Sequence, residues 1–311
     1  MIDKNKIEEG RRWSPSPKHQ GTVLSTSVVA TGHVWVHGQR LHYVKFPGDG
    51  RPLLLCNGIG ANLELALPLA RQLSEQGVGP VVLFDLPGVG GSPSGPLITG
   101  LGWYARLVVG LMDSLGIAGK FTVAGVSWGG ALAQQVARNH ADRIYSLVLM
   151  ATSPGVVMVP GQVDALVRMI TPKRYFSRSY MTNNAAIIYG GEMRQQPGPA
   201  TDFANMVRPP STATYIQQVL SVATFSSLPW LCSIRCPVLV MGGDDDPLIR
   251  PINLRILAAL TRYSTLRIIP GGGHLFMVLR PQLAASEIRA FLAGIEGGFA
   301  DTDSRYKSPA Q

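Results

Sequence analysis

Residues 121–139 read Phe-Thr-Val-Ala-Gly-Val-Ser-Trp-Gly-Gly-Ala-Leu-Ala-Gln-Gln-Val-Ala-Arg-Asn, and the change of pattern at Ser127 decides the fold. Before it, a continuous short apolar run has the character of a strand buried on both faces. After it, Leu132 and Val136 recur at helical spacing. At the junction, Gly125-Val126-Ser127-Trp128-Gly129 follows Gly-x-Ser-x-Gly. The five-residue pattern alone carries little weight in a chain with 35 glycines. Its position carries more. A strand that turns sharply into a helix lifts a serine oxygen above the sheet edge, and small flanking residues admit the neighbouring backbone. Ser127 is therefore the candidate nucleophile, rather than an ordinary turn serine.

On either side, short apolar runs alternate with helix-length amphipathic stretches, the pattern of βαβ units and a mostly parallel sheet flanked by helices. Strands are expected at 52–56, 80–85, 121–126, 146–150, 237–242 and 265–269, and helices at 62–76, 99–115, 128–139, 250–261 and 282–293. Within 34–44, two apolar runs around His37-Gly38 predict an antiparallel hairpin. Residues 153–230 break the rhythm with prolines, methionines and aromatic residues, which predicts an inserted helical cap. The expected organisation is thus a flexible tail at 1–24, an α/β core at 25–152, the cap at 153–230, the rest of the core at 231–296, and a second flexible tail at 297–311.

Composition excludes several classes. A chain of 311 residues with 46% apolar and 15% charged residues is globular rather than disordered. The net charge of +9 is scattered, with no run of five basic residues, so nucleic acid is not indicated; solubility is its first meaning and an anionic surface its second. The apolar runs are far shorter than the roughly 18 residues of a membrane span. The first residues mix charges of both signs without an apolar segment, so a cytoplasmic protein is expected. The 3 cysteines argue against a disulfide framework; Cys232 and Cys236 lack companions for a metal site and are expected to be buried free thiols. No metal or cofactor is expected.

A serine hydroxyl needs a base, and on this scaffold the partners follow in the order serine, acid, histidine. Of the 6 histidines, His274 alone follows a candidate acid, in Pro270-Gly271-Gly272-Gly273-His274 just beyond the last strand. The acid lies in Gly243-Asp244-Asp245-Asp246-Pro247. Asp246 is preferred because it stands three residues beyond Gly243, with Asp245 the nearest substitute. Such a carboxylate fixes the imidazole tautomer and stabilises the imidazolium. Two backbone amides must hold the oxyanion, one following the nucleophile and one from the loop after an early strand. Trp128 supplies the first and Ile59, in Asn57-Gly58-Ile59-Gly60, the second; the Asn57 side chain is expected to order that loop. Asp85-Leu86-Pro87-Gly88-Val89-Gly90-Gly91-Ser92 lacks the Lys-Ser/Thr ending of a phosphate loop and is read as a structural turn.

Taken together, Asn57 to Leu65, Asp85 to Ser92, Gly125 to Gln135 and Gly243 to Ile249 resemble the intracellular medium-chain-length poly(3-hydroxyalkanoate) depolymerases. The similarity runs from about residue 50 to 292 and includes Val157-Met158-Val159-Pro160-Gly161, Ile188-Tyr189-Gly190-Gly191 and Gly273-His274-Leu275-Phe276. It implies an α/β-hydrolase fold, the triad Ser127, Asp246 and His274, and ester hydrolysis without a cofactor. Asn57, Gly58, Met158 and Tyr189 are the candidate substrate contacts. The chain departs from the family at Arg250, where proline is usual, and by an extra residue before His274.

The cap holds Met158, Met169, Met181, Met193 and Met206, whose thioethers suit either a pocket for varied alkyl chains or ordinary gap filling. Lys173-Arg174-Tyr175-Phe176 with Arg178 is expected to form a solvated cap face or to touch an anionic granule coat. The function expected is hydrolysis of stored polyester, in the cytoplasm and at the polyhydroxyalkanoate granule surface. The alternatives are a carboxylesterase for small soluble esters and a non-catalytic granule-associated binding protein. Oligomeric state is not legible.

Overall fold

The computed structural model describes residues 29–96, 100–195 and 198–298. The expected tail at 1–24 and all residues beyond 298 lie outside the described residues. The second tail was expected from 297, but the last helix includes Gly298.

One sheet of eight strands has the order β1-β2-β4-β3-β5-β6-β7-β8. The strands are β1 (Ala30–Val36), β2 (Gln39–Phe46), β3 (Leu53–Cys56), β4 (Val81–Phe84), β5 (Phe121–Val126), β6 (Ile144–Met150), β7 (Val238–Gly243) and β8 (Ser264–Ile269). The β1–β2 and β2–β4 pairs are antiparallel and the remaining pairs parallel. The hairpin turns at His37 (φ 47°) and Gly38 (φ 77°), the paired positive values that match strand twist.

Three strands begin one residue later than expected, each after a proline. Proline has no N–H for a sheet ladder, yet its carbonyl still accepts. Leu53 donates to Pro80, Thr122 to Pro52, and Leu147 to Pro237.

Side chains alternate along the central strands. Leu54, Val82, Val123, Leu147 and Val240 project to one face, beneath α2 (Leu101–Ser114), α3 (Trp128–Asn139) and α10 (Pro251–Leu260). Leu53, Leu55, Leu83, Ala124, Val148 and Leu239 project to the other, beneath α1 (Leu67–Glu75) and α12 (Pro281–Gly298). Burial on both faces explains the unbroken apolar runs. The helix expected at 62–76 divides into a 3₁₀ turn at Leu63–Ala66 and α1, whose Pro68 sits where no intrahelical N–H is needed.

Between β6 and β7 the chain passes through α4 (Val163–Ile170), α5 (Lys173–Phe176), α6 (Arg178–Tyr189), α7 (Glu192–Gln195), α8 (Gly198–Met206) and α9 (Thr212–Ala223). We refer to this helical insertion as the cap. Short α11 (Phe276–Leu279) precedes α12. Among the described residues, no helix is long and apolar enough to cross a membrane. Cys232, expected to be buried, is exposed in a surface 3₁₀ turn, and Cys236 is half-buried. Burial pushes the Cys236 and Cys56 thiols up to about 12.

Candidate active site

Ser127 stands between β5 and α3 at φ 53° and ψ −116°, a conformation that L-residues avoid. Its neighbours hold it there. The Ser127 amide donates to Met150 at 2.9 Å, and its carbonyl accepts from the Thr152 hydroxyl at 2.7 Å. The flanking glycines are steric necessities: a Cβ on Gly125 would lie 2.1 Å from the Gly129 carbonyl oxygen, and one on Gly129 would lie 2.1 Å from that of Cys56. The elbow thus needs both small residues to bring β3, β5 and α3 together.

His274 follows β8. Its imidazole is buried, and Nδ1 lies 2.8 Å from Asp246 Oδ2. Asp246 Oδ1 accepts from the Leu248 and Ile249 amides at 2.8 and 2.9 Å, so the carboxylate is fixed from both sides. The three consecutive aspartates have separate partners. Asp244 accepts from the Gly271 amide, Asp245 from the Gly191 amide and Arg194 of the cap, and Asp246 faces His274. Among the described residues, His274 Nε2 is buried without a hydrogen-bond partner.

Ser127 and His274 line one cavity, with Asn57, Gly58, Ile59 and Tyr189 also in its wall. Much of the remaining lining is apolar: Leu55, Leu65, Leu69, Met169, Phe203 and Met277. Met158, expected at the substrate, is not in this wall; it packs against the main core cluster, beside the bend where its amide bonds Gly155. Of the cap methionines, Met169 reaches the cavity, whereas Met181 and Met193 fill buried space. The Asn57 amide donates to the Asn62 carbonyl at 2.9 Å across its own loop.

The peptide between Ile59 and Gly60 is held from the cap at both ends. The Ile59 carbonyl accepts from the Tyr175 hydroxyl and, at 3.3 Å, from Arg174, while the Gly60 amide donates to Gln218 Oε1 at 2.6 Å. On the preceding peptide, Gly58 O accepts from the Ala61 amide at 3.1 Å. Both peptide planes of the loop are therefore fixed, which orients the Ile59 N–H between them. Trp128, as the first residue of α3, has an amide without an intrahelical acceptor. Its indole donates to the Gln218 carbonyl at 2.9 Å, another tie between elbow and cap.

The segment at 173–178 differs from expectation. Lys173, Phe176 and Arg178 are exposed, but Arg174 and Tyr175 are buried and line the cavity. Burial lowers the Arg174 pKa, but Tyr175, Tyr189 and Tyr215 outweigh it and raise it overall, so the guanidinium remains charged. Burial raises the Tyr175 and Tyr189 phenols above their ordinary range against the opposing effect of Arg174, so both stay neutral, Tyr175 donating to Ile59 and Tyr189 accepting from Arg174. Sequence pattern gave no sign of these roles or that of Gln218: α5 has four residues, too few to show a buried face.

Comparison with known proteins agrees with this architecture. A family model described as the alpha/beta hydrolase fold matches residues 51–281. A poly(3-hydroxyalkanoate) depolymerase of Ectopseudomonas oleovorans is 44% identical over 244 residues, covering 78% of this chain and 84% of the relative. A 3-oxoadipate enol-lactonase of Acinetobacter baylyi is 25% identical, covering 81% of this chain and 92% of the relative. Among solved structures, the enol-lactonase from Burkholderia xenovorans superposes with a TM-score of 0.73 at 22% identity, over 84% of this chain and 100% of its own. A thermophilic esterase from Thermogutta terrifontis gives 0.70 at 23% identity, over 86% and 99%. At these identities the structural likenesses establish the fold alone.

Proposed function

The chain belongs to the α/β-hydrolase fold family and, within it, to the poly(3-hydroxyalkanoate) depolymerases, and we propose that this ester hydrolase cleaves intracellular medium-chain-length polyester by a serine mechanism. The observation that carries the proposal is the buried, unpartnered Nε2 of His274 in the wall of the same apolar cavity as Ser127, with Asp246 on Nδ1. His274 takes the Ser127 proton as Oγ attacks the ester carbonyl. The Ile59 and Trp128 amides hold the oxyanion. His274 then protonates the leaving hydroxyl, and water repeats the sequence on the acyl-enzyme. The apolar wall around Leu69, Met169, Phe203 and Met277 suits an alkyl side chain of medium length.

Granule association is part of the same proposal. Val163, Val167 and Ile170 on α4, Phe176 after it, and Ile216 and Leu220 on α9 are all more than half exposed, an outward apolar surface suited to a water-insoluble polymer. The test is acid release from a washed suspension of medium-chain polyhydroxyalkanoate in buffer, with the Ser127→Ala protein as blank. Release by wild type alone is expected. Failure to release acid, with hydrolysis of soluble octanoate esters retained, overturns the polymer assignment. An undiminished rate in Ser127→Ala overturns the mechanism.

A further inference from the structure

Arg174 is a buried cation without a counter-ion. Its residue exposure is 3%, and no carboxylate pairs with it among the described residues, whose ion-paired arginines are Arg143, Arg168, Arg194, Arg208, Arg267 and Arg280. One terminal nitrogen donates to the Tyr189 hydroxyl at 3.0 Å and the other to the Ile59 carbonyl at 3.3 Å. The guanidinium carbon lies 4.2 Å from the Tyr175 ring centroid. These contacts leave Nε buried and unpartnered. A guanidinium held out of water with neutral partners and unused N–H groups is costly unless an anion completes it.

Its position identifies that anion. Arg174 lines the cavity of Ser127 and His274. It reaches the oxyanion loop through Ile59 on one side and Tyr189 on the other, and the Tyr189 ring stacks on His274 with centroids 6.4 Å apart. Through Tyr189 the guanidinium is linked to the ring of His274, the proposed acid for the leaving alcohol. We propose that Arg174 forms a carboxylate subsite for the leaving group, so that the hydrolase recognises the free carboxyl end of its polyester.

The inference rests on the polyester reading above. In the last ester of such a chain the alcohol portion is a 3-hydroxy acid, whose carboxylate is only a few bonds from the scissile carbonyl, and the guanidinium fork accepts it in a bidentate manner. Hydrolysis puts the water hydroxyl on the acyl carbon and a proton on the departing 3-hydroxyl. One 3-hydroxy acid leaves, and the shortened chain carries a new terminal carboxylate for the same guanidinium.

The experiment compares the 3-hydroxyoctanoate dimer with its methyl ester, using wild type, Arg174→Gln and Arg174→Lys, alongside the polymer suspension. Wild type is expected to favour the free acid. Arg174→Gln is expected to lose about 10-fold more in kcat/KM on the acid than on the methyl ester, which shares only the loss of the Ile59 contact, with Arg174→Lys between wild type and Gln on the acid. Equal loss on both esters overturns the subsite and leaves Arg174 a support for the Ile59 carbonyl. So does a wild type indifferent to the carboxylate while it still degrades polymer; the polyester reading then survives. Cleavage of neither dimer nor polymer, with soluble octanoate esters still hydrolysed, overturns both. Inhibition of wild-type octanoate ester hydrolysis gives a readout independent of variant folding. The 3-hydroxyoctanoate ion is expected to inhibit more strongly than its methyl ester, and equal inhibition counts against the subsite.

Discussion

Two histidine–aspartate pairs border the same sheet. His274 Nδ1 meets Asp246 at 2.8 Å after β8 and β7, and His42 Nδ1 meets Asp85 at 2.9 Å between β2 and the end of β4. In both, the aspartate also accepts backbone amides: Leu248 and Ile249 on Asp246, Leu63 and Gly91 on Asp85. Pair geometry alone does not separate them. The far nitrogen does. His42 Nε2 lies 3.3 Å from the Thr31 hydroxyl, and its side chain is 21% exposed at the hairpin, whereas His274 Nε2 is buried, unpartnered and in the cavity of Ser127. A carboxylate orients an imidazole in either place; of the two, His274 leaves its far nitrogen free in the cavity of Ser127, as the proposed acid–base role requires.

The contrast can be broken by substitution. Ser127→Ala is expected to lower kcat on soluble octanoate esters by about 10⁵ with unchanged thermal unfolding, because the elbow backbone is kept. Asp246→Asn, which leaves the shape but releases the tautomer of His274, is expected to cost about 10⁴ in kcat. Asp85→Asn reverses the pattern. It removes the charge that Leu63, Gly91 and His42 share and is expected to destabilise by about 3 kcal/mol, seen as a melting shift of about 5 °C, while kcat below that transition falls less than about 10-fold. His42→Gln, at a partly solvated site, is expected to cost about 1 kcal/mol and leave kcat unchanged. If Asp85→Asn abolished turnover in folded protein, or Asp246→Asn left it intact, the two pairs would have to exchange roles.

Legibility in the sequence follows the physics of each region. The sheet was readable because strands covered on both faces need unbroken apolar runs, and β5 was expected at the residues where it is found. The hairpin was readable from His37-Gly38, since few sequences tolerate two successive positive φ values. Strand starts after Pro52, Pro80 and Pro237 were misjudged because apolar character says nothing about a missing donor. At the site, residues named from local chemistry occupy four connections, after β3, β5, β7 and β8, that chain topology brings to one edge of the sheet. Arg174, Tyr175 and Gln218 were not legible. Their meaning comes from Ile59 and Gly60, more than a hundred residues earlier, and no local period encodes such a contact. The same limit explains Met158, whose composition suited a pocket and whose position is packing.

The clamp on the peptide between Ile59 and Gly60 ties the cap to the loop proposed to hold the oxyanion. Gln218 on α9 binds the Gly60 amide, while Tyr175 and Arg174 bind the Ile59 oxygen. A cap displaced by more than a hydrogen-bond length would lose these bonds and free the peptide whose orientation the proposed oxyanion site depends on. Hydrogen exchange at the Gly60 amide reports the clamp directly: slow exchange is expected from its bond to Gln218, and exchange as fast as in an unstructured peptide would show that no such latch exists.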